Sequence, residues 1–179
     1  MKRLKLPIGI TVLYCLFCFA QCKKSNPDSN GLPVASQEGK NTLGFLLNGQ
    51  PWKPQGSRVT GNLSIDYDAG FNQGIFGIVG YNFNTPISQQ LTFGIRDSLN
   101  FINAPATFSL SNTSLYGISY SDSTCDLFSR DNDVTCSGNL TITKLDRTNG
   151  IISGTFSATL RKPGCSEIKI SDGRFDMKF

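Results

Sequence analysis

The chain has 179 residues, 39% of them hydrophobic and 17% charged, with 13 Phe, 18 Gly, six Cys, no His and a formal net charge of +4. Without histidine it has no Ser-His-Asp or Cys-His nucleophilic site, no His-ligated zinc and no histidine pH switch. It is too apolar and aromatic for disorder and short enough for one domain. It is poor in helix formers relative to Ser, Thr, Asn and Gly, which favours an all-β fold.

Residues 1–22 read as a lipoprotein signal peptide. Lys2, Arg3 and Lys5 form a positive n-region, and residues 7–20 (PIGITVLYCLFCFA) an apolar run too short for a spanning helix. The run ends in Phe19-Ala20-Gln21-Cys22, similar to a bacterial lipobox. Cys22 is therefore the expected lipidation site, with plain cleavage after Ala20 as the alternative. Acyl chains contribute about 0.8 kcal/mol per buried CH₂, so several of them on Cys22 would hold the protein at a membrane. The positive charge leaves with the leader: 14 basic and 13 acidic side chains remain from Cys22, and 11 of each from Asn41. A neutral domain gains nothing from counterion release, so no nucleic-acid partner is expected. Residues 23–40 are polar, carry Pro27, Gly31, Pro33 and Gly39, and show no period of 2 or 3.6. They read as a flexible tether reaching roughly 20–25 Å.

Residues 41–179 read as a single β domain. Apolar residues alternate at Leu63, Ile65 and Tyr67; at Leu91, Phe93 and Ile95; at Ala106, Phe108 and Leu110; and at Tyr116, Ile118 and Tyr120. This predicts antiparallel strands with one buried and one wet face. Residues 74–81 (GIFGIVGY) are apolar on both faces, and are expected to form a central strand closely approached by another backbone. Near the C-terminus, Leu140, Ile142, Ile152, Phe156, Ala158 and Leu160 should face the core. A three-residue loop, 148–150, with left-handed Gly150 would meet that parity by pairing Ile142 with Phe156. Ile168 and Ile170 are even while Phe175, Met177 and Phe179 are odd, so Asp172-Gly173 must be a bulge or turn that resets the register. The expected fold is an antiparallel β-sandwich of about ten short strands, with a small lipocalin-like β-barrel as the alternative.

Leu32-Pro33, Asn41-Thr42-Leu43-Gly44-Phe45-Leu46-Leu47-Asn48-Gly49, Trp52 and Pro54 resemble the opening of an uncharacterised lipoprotein family from Bacteroidota. The stretches 140–146, 151–156 and 170–176 (ISDGRFD) resemble its C-terminal half. The resemblance implies an envelope lipoprotein with an all-β domain, and no activity. Phe45 stands where the family often has Cys, so no family disulfide is implied.

Three cysteines remain after the leader and the anchor: Cys125, Cys136 and Cys165. In an oxidising compartment they are disulfide candidates. Cys125 and Cys136 flank a polar turn, so Cys125–Cys136 is favoured over Cys125–Cys165. Asp122, Asp126, Asp131 and Asp133 crowd one segment, but it lacks the glycine and closing glutamate of a calcium loop, so no metal is expected. Asp66 and Asp68 share one strand face about 7 Å apart, a spacing that glycosidases use and that wet strands show far more often. Trp52, Tyr81, Tyr116 and Tyr120 are the speculative ligand-binding residues, since exposed aromatics stack on sugars or pack against partners. Ser98 and Ser123, in Asp-Ser-Leu and Asp-Ser-Thr, resemble Bacteroidota O-glycosylation acceptors.

The expected role is a non-enzymatic binding or accessory module without a cofactor, lipid-anchored at the outer membrane. Its occupant would be a glycan, a small apolar ligand or an envelope protein. The alternative is a structural envelope protein acting only through protein partners. The periplasmic face and the cell surface both stay open, because no acidic run follows Cys22.

Overall fold

The computed structural model describes residues 28–57, 59, 61–112 and 115–179; the expected signal peptide and Cys22 lie outside these. Among the described residues eleven strands form: β1 (Thr42–Leu47), β2 (Gln50–Trp52), β3 (Leu63–Asp68), β4 (Ile75–Asn82), β5 (Gln89–Ile95), β6 (Ala106–Ser109), β7 (Tyr116–Ser121), β8 (Asp126–Phe128), β9 (Thr135–Asp146), β10 (Ile151–Arg161) and β11 (Ile168–Lys178). The only described helical element is the 3-10 turn Leu99–Phe101. The strands make two antiparallel sheets packed face to face, ordered β2-β1-β11-β10-β9-β6 and β3-β4-β5-β7-β8. The molecule is a β-sandwich and not a closed barrel.

The alternation in the sequence does the packing. Phe76 and Ile78, Leu91, Phe93 and Ile95, and Ile118 and Tyr120 are buried from the five-stranded sheet. Phe45, Leu140, Ile142, Ile152, Phe156, Phe175 and Met177 meet them from the six-stranded sheet. Phe93 stacks on Phe156 at 4.5 Å between ring centres and tilts against Phe175 at 5.3 Å, which locks the two sheets together.

The C-terminal hairpin buries every residue that parity assigned to the core, by a different route. Its loop has four residues, 147–150, with Gly150 left-handed at φ 65°. Such a loop pairs residues of opposite parity (Ile152 with Leu145). Thr143 then bulges opposite the Ser153–Gly154 step, and Leu140 rather than Ile142 faces Phe156. The expected reset in β11 is present: Gly173 faces Phe156 while Ile170 faces Ala158, with Asp172 at φ 51°.

Residues 28–40 are not a free tether. Leu32 is fully buried, and Arg174 holds Asp28 in a 2.6 Å ion pair and donates to the Pro33 carbonyl. Asp176, 1% exposed, accepts from the Ser36 hydroxyl at 2.5 Å and from the backbone N–H groups of Glu38, Gly39 and Lys40. The Ser153 hydroxyl also donates to it, at 2.7 Å. The polar composition that reads as a linker instead supplies donors to one buried carboxylate. The packed unit therefore begins no later than Asp28, and residues 28–179 enclose a complete core of their own.

The disulfide is Cys125–Cys165, not Cys125–Cys136. The turn between Cys125 and Cys136 does not join paired strands. It crosses from β8 in one sheet to β9 in the other, where Cys136 lies opposite Leu160. Cys165, in the β10–β11 connection, is the thiol that meets Cys125, so the bridge staples one sheet to the other.

Candidate ligand-binding trench

Pairing register builds a feature that no single strand contains. Asp66 lies opposite Gly77, Gly77 opposite Gly94, and Gly94 opposite Gly117. Three glycines thus form a row across β4, β5 and β7 on the outer, uncovered face of the five-stranded sheet. Without side chains there, the sheet face carries a trench of about 370 Å³ floored by backbone. Such a volume falls within the range of small-molecule sites.

Phe71 and Asn72 of the β3–β4 turn, with Ile75, stand on one side. Thr92, Ser119 and Phe128 stand on the other. Phe71 is 56% exposed and Phe128 36%, two of the few large apolar side chains left in water. Arg96 and Arg130 sit at the rim and Asp66 at the β3 end, all three exposed. Buried Ser129 fixes the segment that carries Arg130: its N–H donates to the Ile118 carbonyl and its hydroxyl accepts from the Ile118 N–H.

The glycines do not all have the same cause. A Cβ on Gly94 would lie 2.2 Å from the Phe76 carbonyl oxygen, and one on Gly80 would lie 2.7 Å from Leu43, so packing excludes side chains at both. Gly94 is where the expected close backbone approach to β4 occurs. A Cβ on Gly77 would meet nothing within 4 Å, and one on Gly117 only the Ser129 hydroxyl at 3.6 Å. Glycine inside a strand costs about 0.5–1 kcal/mol relative to alanine. At Gly77 and Gly117 that cost has no packing cause, and its visible consequence is the open floor.

The aromatics singled out from the sequence are not assembled into a site. Trp52 is buried against Phe45 at 4.5 Å, its indole N–H donating to Gln89. Tyr120 is a core residue; burial, then the charge of Asp122, pushes its phenol up to about 12. Both are withdrawn from any ligand because they serve as inward-facing core residues. Tyr116 packs on Phe108 of the opposite sheet, and Tyr81 stacks on Phe83. Phe71, Phe128, Arg96 and Arg130 were passed over. Three of them, Phe71, Arg96 and Arg130, lie in turns or beyond strand ends, and all four depend on register to be brought together.

The remaining candidates also find their places. Cys136 is half-buried and donates to the Leu110 carbonyl, and burial pushes its thiol up to about 11. Asp122 caps its own turn, accepting from Thr124 and the Cys125 N–H, while Asp133 pairs with Lys162. No three His, Cys, Asp or Glu side chains converge on a metal position among the described residues. Asp68 accepts from the Gly70 and Phe71 N–H groups, leaving Asp66 as the one carboxylate at the trench. Ser98 and Ser123 are both exposed.

No family model, curated protein or solved structure matches the chain. Chemically, the trench can stack a flat apolar body between phenyl rings, hydrogen-bond through Thr92, Ser119 and Asn72, and pair with charge through two guanidinium groups and one carboxylate.

Proposed function

We propose that this is a lipid-anchored envelope protein whose β-sandwich binds a small flat-bodied ligand in the glycine-floored trench, without chemistry of its own. The leader, ending in a lipobox-like Cys22, supports the anchor and an outer-membrane location. The carrying observation is the pair Gly77 and Gly117, side-chain-free where side chains would fit. The competing reading, a structural protein that pairs strands with partners, finds weaker support. Edge β8 has three residues, and edge β3 carries Asp66 and Asp68 outward, a pattern that guards against strand addition.

The test is a thermal-shift panel on residues 23–179 with flat-ringed carboxylates, aryl sulfonates and neutral and acidic oligosaccharides. A ligand at 100 times its Kd adds about 2.7 kcal/mol, roughly 5–11 °C for a domain of this size. The rise should vanish in Gly77→Leu, whose own Tm should stay within a few degrees of wild type. A rise that survives Gly77→Leu would move the site elsewhere. Silence across the panel would return the weight to partner proteins.

A further inference from the structure

We infer that the trench selects an anion: a flat-ringed carboxylate or sulfonate whose charged group is held by Arg96 and Arg130. This rests on the trench being the binding site and adds the ligand's chemical class.

The described arginines divide by location. Arg147 donates to the carbonyls of Leu99, Asn100 and Ile102. Arg161 pairs with Glu167, and Arg174 with Asp28. The guanidinium groups of Arg96 and Arg130, the two at the trench, have no hydrogen-bond or ion-pair partner among the described residues, although the Arg96 backbone bonds to Leu115 and Asn72. The other described arginines engage their guanidinium groups, whereas these two carry ten N–H donors with no partner among the described residues. Asp66 is within ion-pair distance of neither, so no internal carboxylate competes for them. Arginine stays charged at every accessible pH and presents a planar fork that matches a carboxylate or sulfonate with two parallel hydrogen bonds.

The surroundings define the rest of the ligand. Arg96 follows the end of β5, and Arg130 lies just past β8, two strand steps or about 10 Å away. Gly94 and Gly117 lie between them, and Ser119 and Phe128 form the wall on the far side of the glycine row from Arg96. An anionic head at one guanidinium therefore leaves a flat body on the glycine floor, with phenyl edges against it. A bare inorganic anion would leave that apolar surface in water, and a neutral ring would leave both guanidinium groups unpaired.

Two fluorescent probes separate these terms. Anilinonaphthalene sulfonate and N-phenylnaphthylamine share one ring system and differ by the sulfonate. Both are titrated into residues 23–179, into Arg96→Gln/Arg130→Gln and into Gly77→Leu. The expected result is at least tenfold tighter binding of the sulfonate, a preference lost in the double arginine variant, and loss of both probes in Gly77→Leu. Equal affinities for the two probes, both lost in Gly77→Leu, would overturn the anion selection and leave the trench standing. Sulfonate binding indifferent to Gly77→Leu, or absent from the wild type, would overturn the trench as well.

Discussion

A residue without a side chain tests a fold most sharply when its neighbours in register lack one too. Gly77, Gly94 and Gly117 form one row for two different reasons. Gly94 is a packing glycine: Gly94→Ala forces its Cβ into the Phe76 carbonyl and should destabilise by about 1–3 kcal/mol, the usual cost of overpacking. Gly117→Ala should be neutral or stabilising by up to about 1 kcal/mol. Chemical denaturation of the two variants checks this. Equal losses in both would mean the floor is set by packing alone. The row could not be seen in the linear sequence, where the three glycines lie in three separate strand segments. They align only because β7 pairs with β5 while β6, between them in the chain, joins the other sheet. By contrast, the inward-facing residues of the segments holding Gly94 and Gly117 were legible, because alternation needs no knowledge of which strand lies alongside.

The clearest element is the strap of residues 28–40, pinned by four hydrogen bonds to Asp176, which Ser153 of β10 also supports. Burial would raise the Asp176 pKa. The donated bonds from Ser36, Ser153, Gly39 and Lys40 outweigh it and bring the carboxyl to about 2, below its ordinary 3.8. A depressed folded-state pKa gives stability that is complete above about pH 4 and is lost as pH falls toward 2. The shift corresponds to roughly 2 kcal/mol. Asp176→Asn should therefore be less stable by about 2–3 kcal/mol at pH 7, with the gap closing between pH 4 and pH 2 in urea titrations. Parallel curves down to pH 2 would deny Asp176 this role. Sequence reading missed the strap because its partners lie more than 130 residues away and its own composition suits a linker. Register was half legible. The parity conflict in β11 demanded a bulge and located it, whereas the hairpin's parity was satisfied equally well by a longer loop plus a bulge at Thr143. Local pattern fixes which face a residue takes, not how many residues the turn uses.

At the scale of the molecule, the two sheets divide the work. The six-stranded sheet carries β1 against β11, with the strap of residues 28–40 across them. The five-stranded sheet has an outer face that is apolar along Ile75 and Val79 and bare along the glycine row. The expectation that residues 74–81 lie in a central strand rested on that two-sided apolarity. In the structure the strand is second from the edge, and its outer apolar face belongs to the trench. The disulfide Cys125–Cys165 closes 40 residues of chain between the sheets. On the chain-entropy estimate it contributes about 3–4 kcal/mol. It ties the start of β8, and so the wall bearing Phe128, to the rest of the fold. The most direct measurement is a backbone-amide NMR map of residues 23–179 with anilinonaphthalene sulfonate added. The largest shift changes should fall on Gly77, Gly94 and Gly117, with Arg96 and Arg130 at the rim. Changes centred instead on the strap beside Ser36 and Asp176, or along edge β3, would contradict the trench as the binding site.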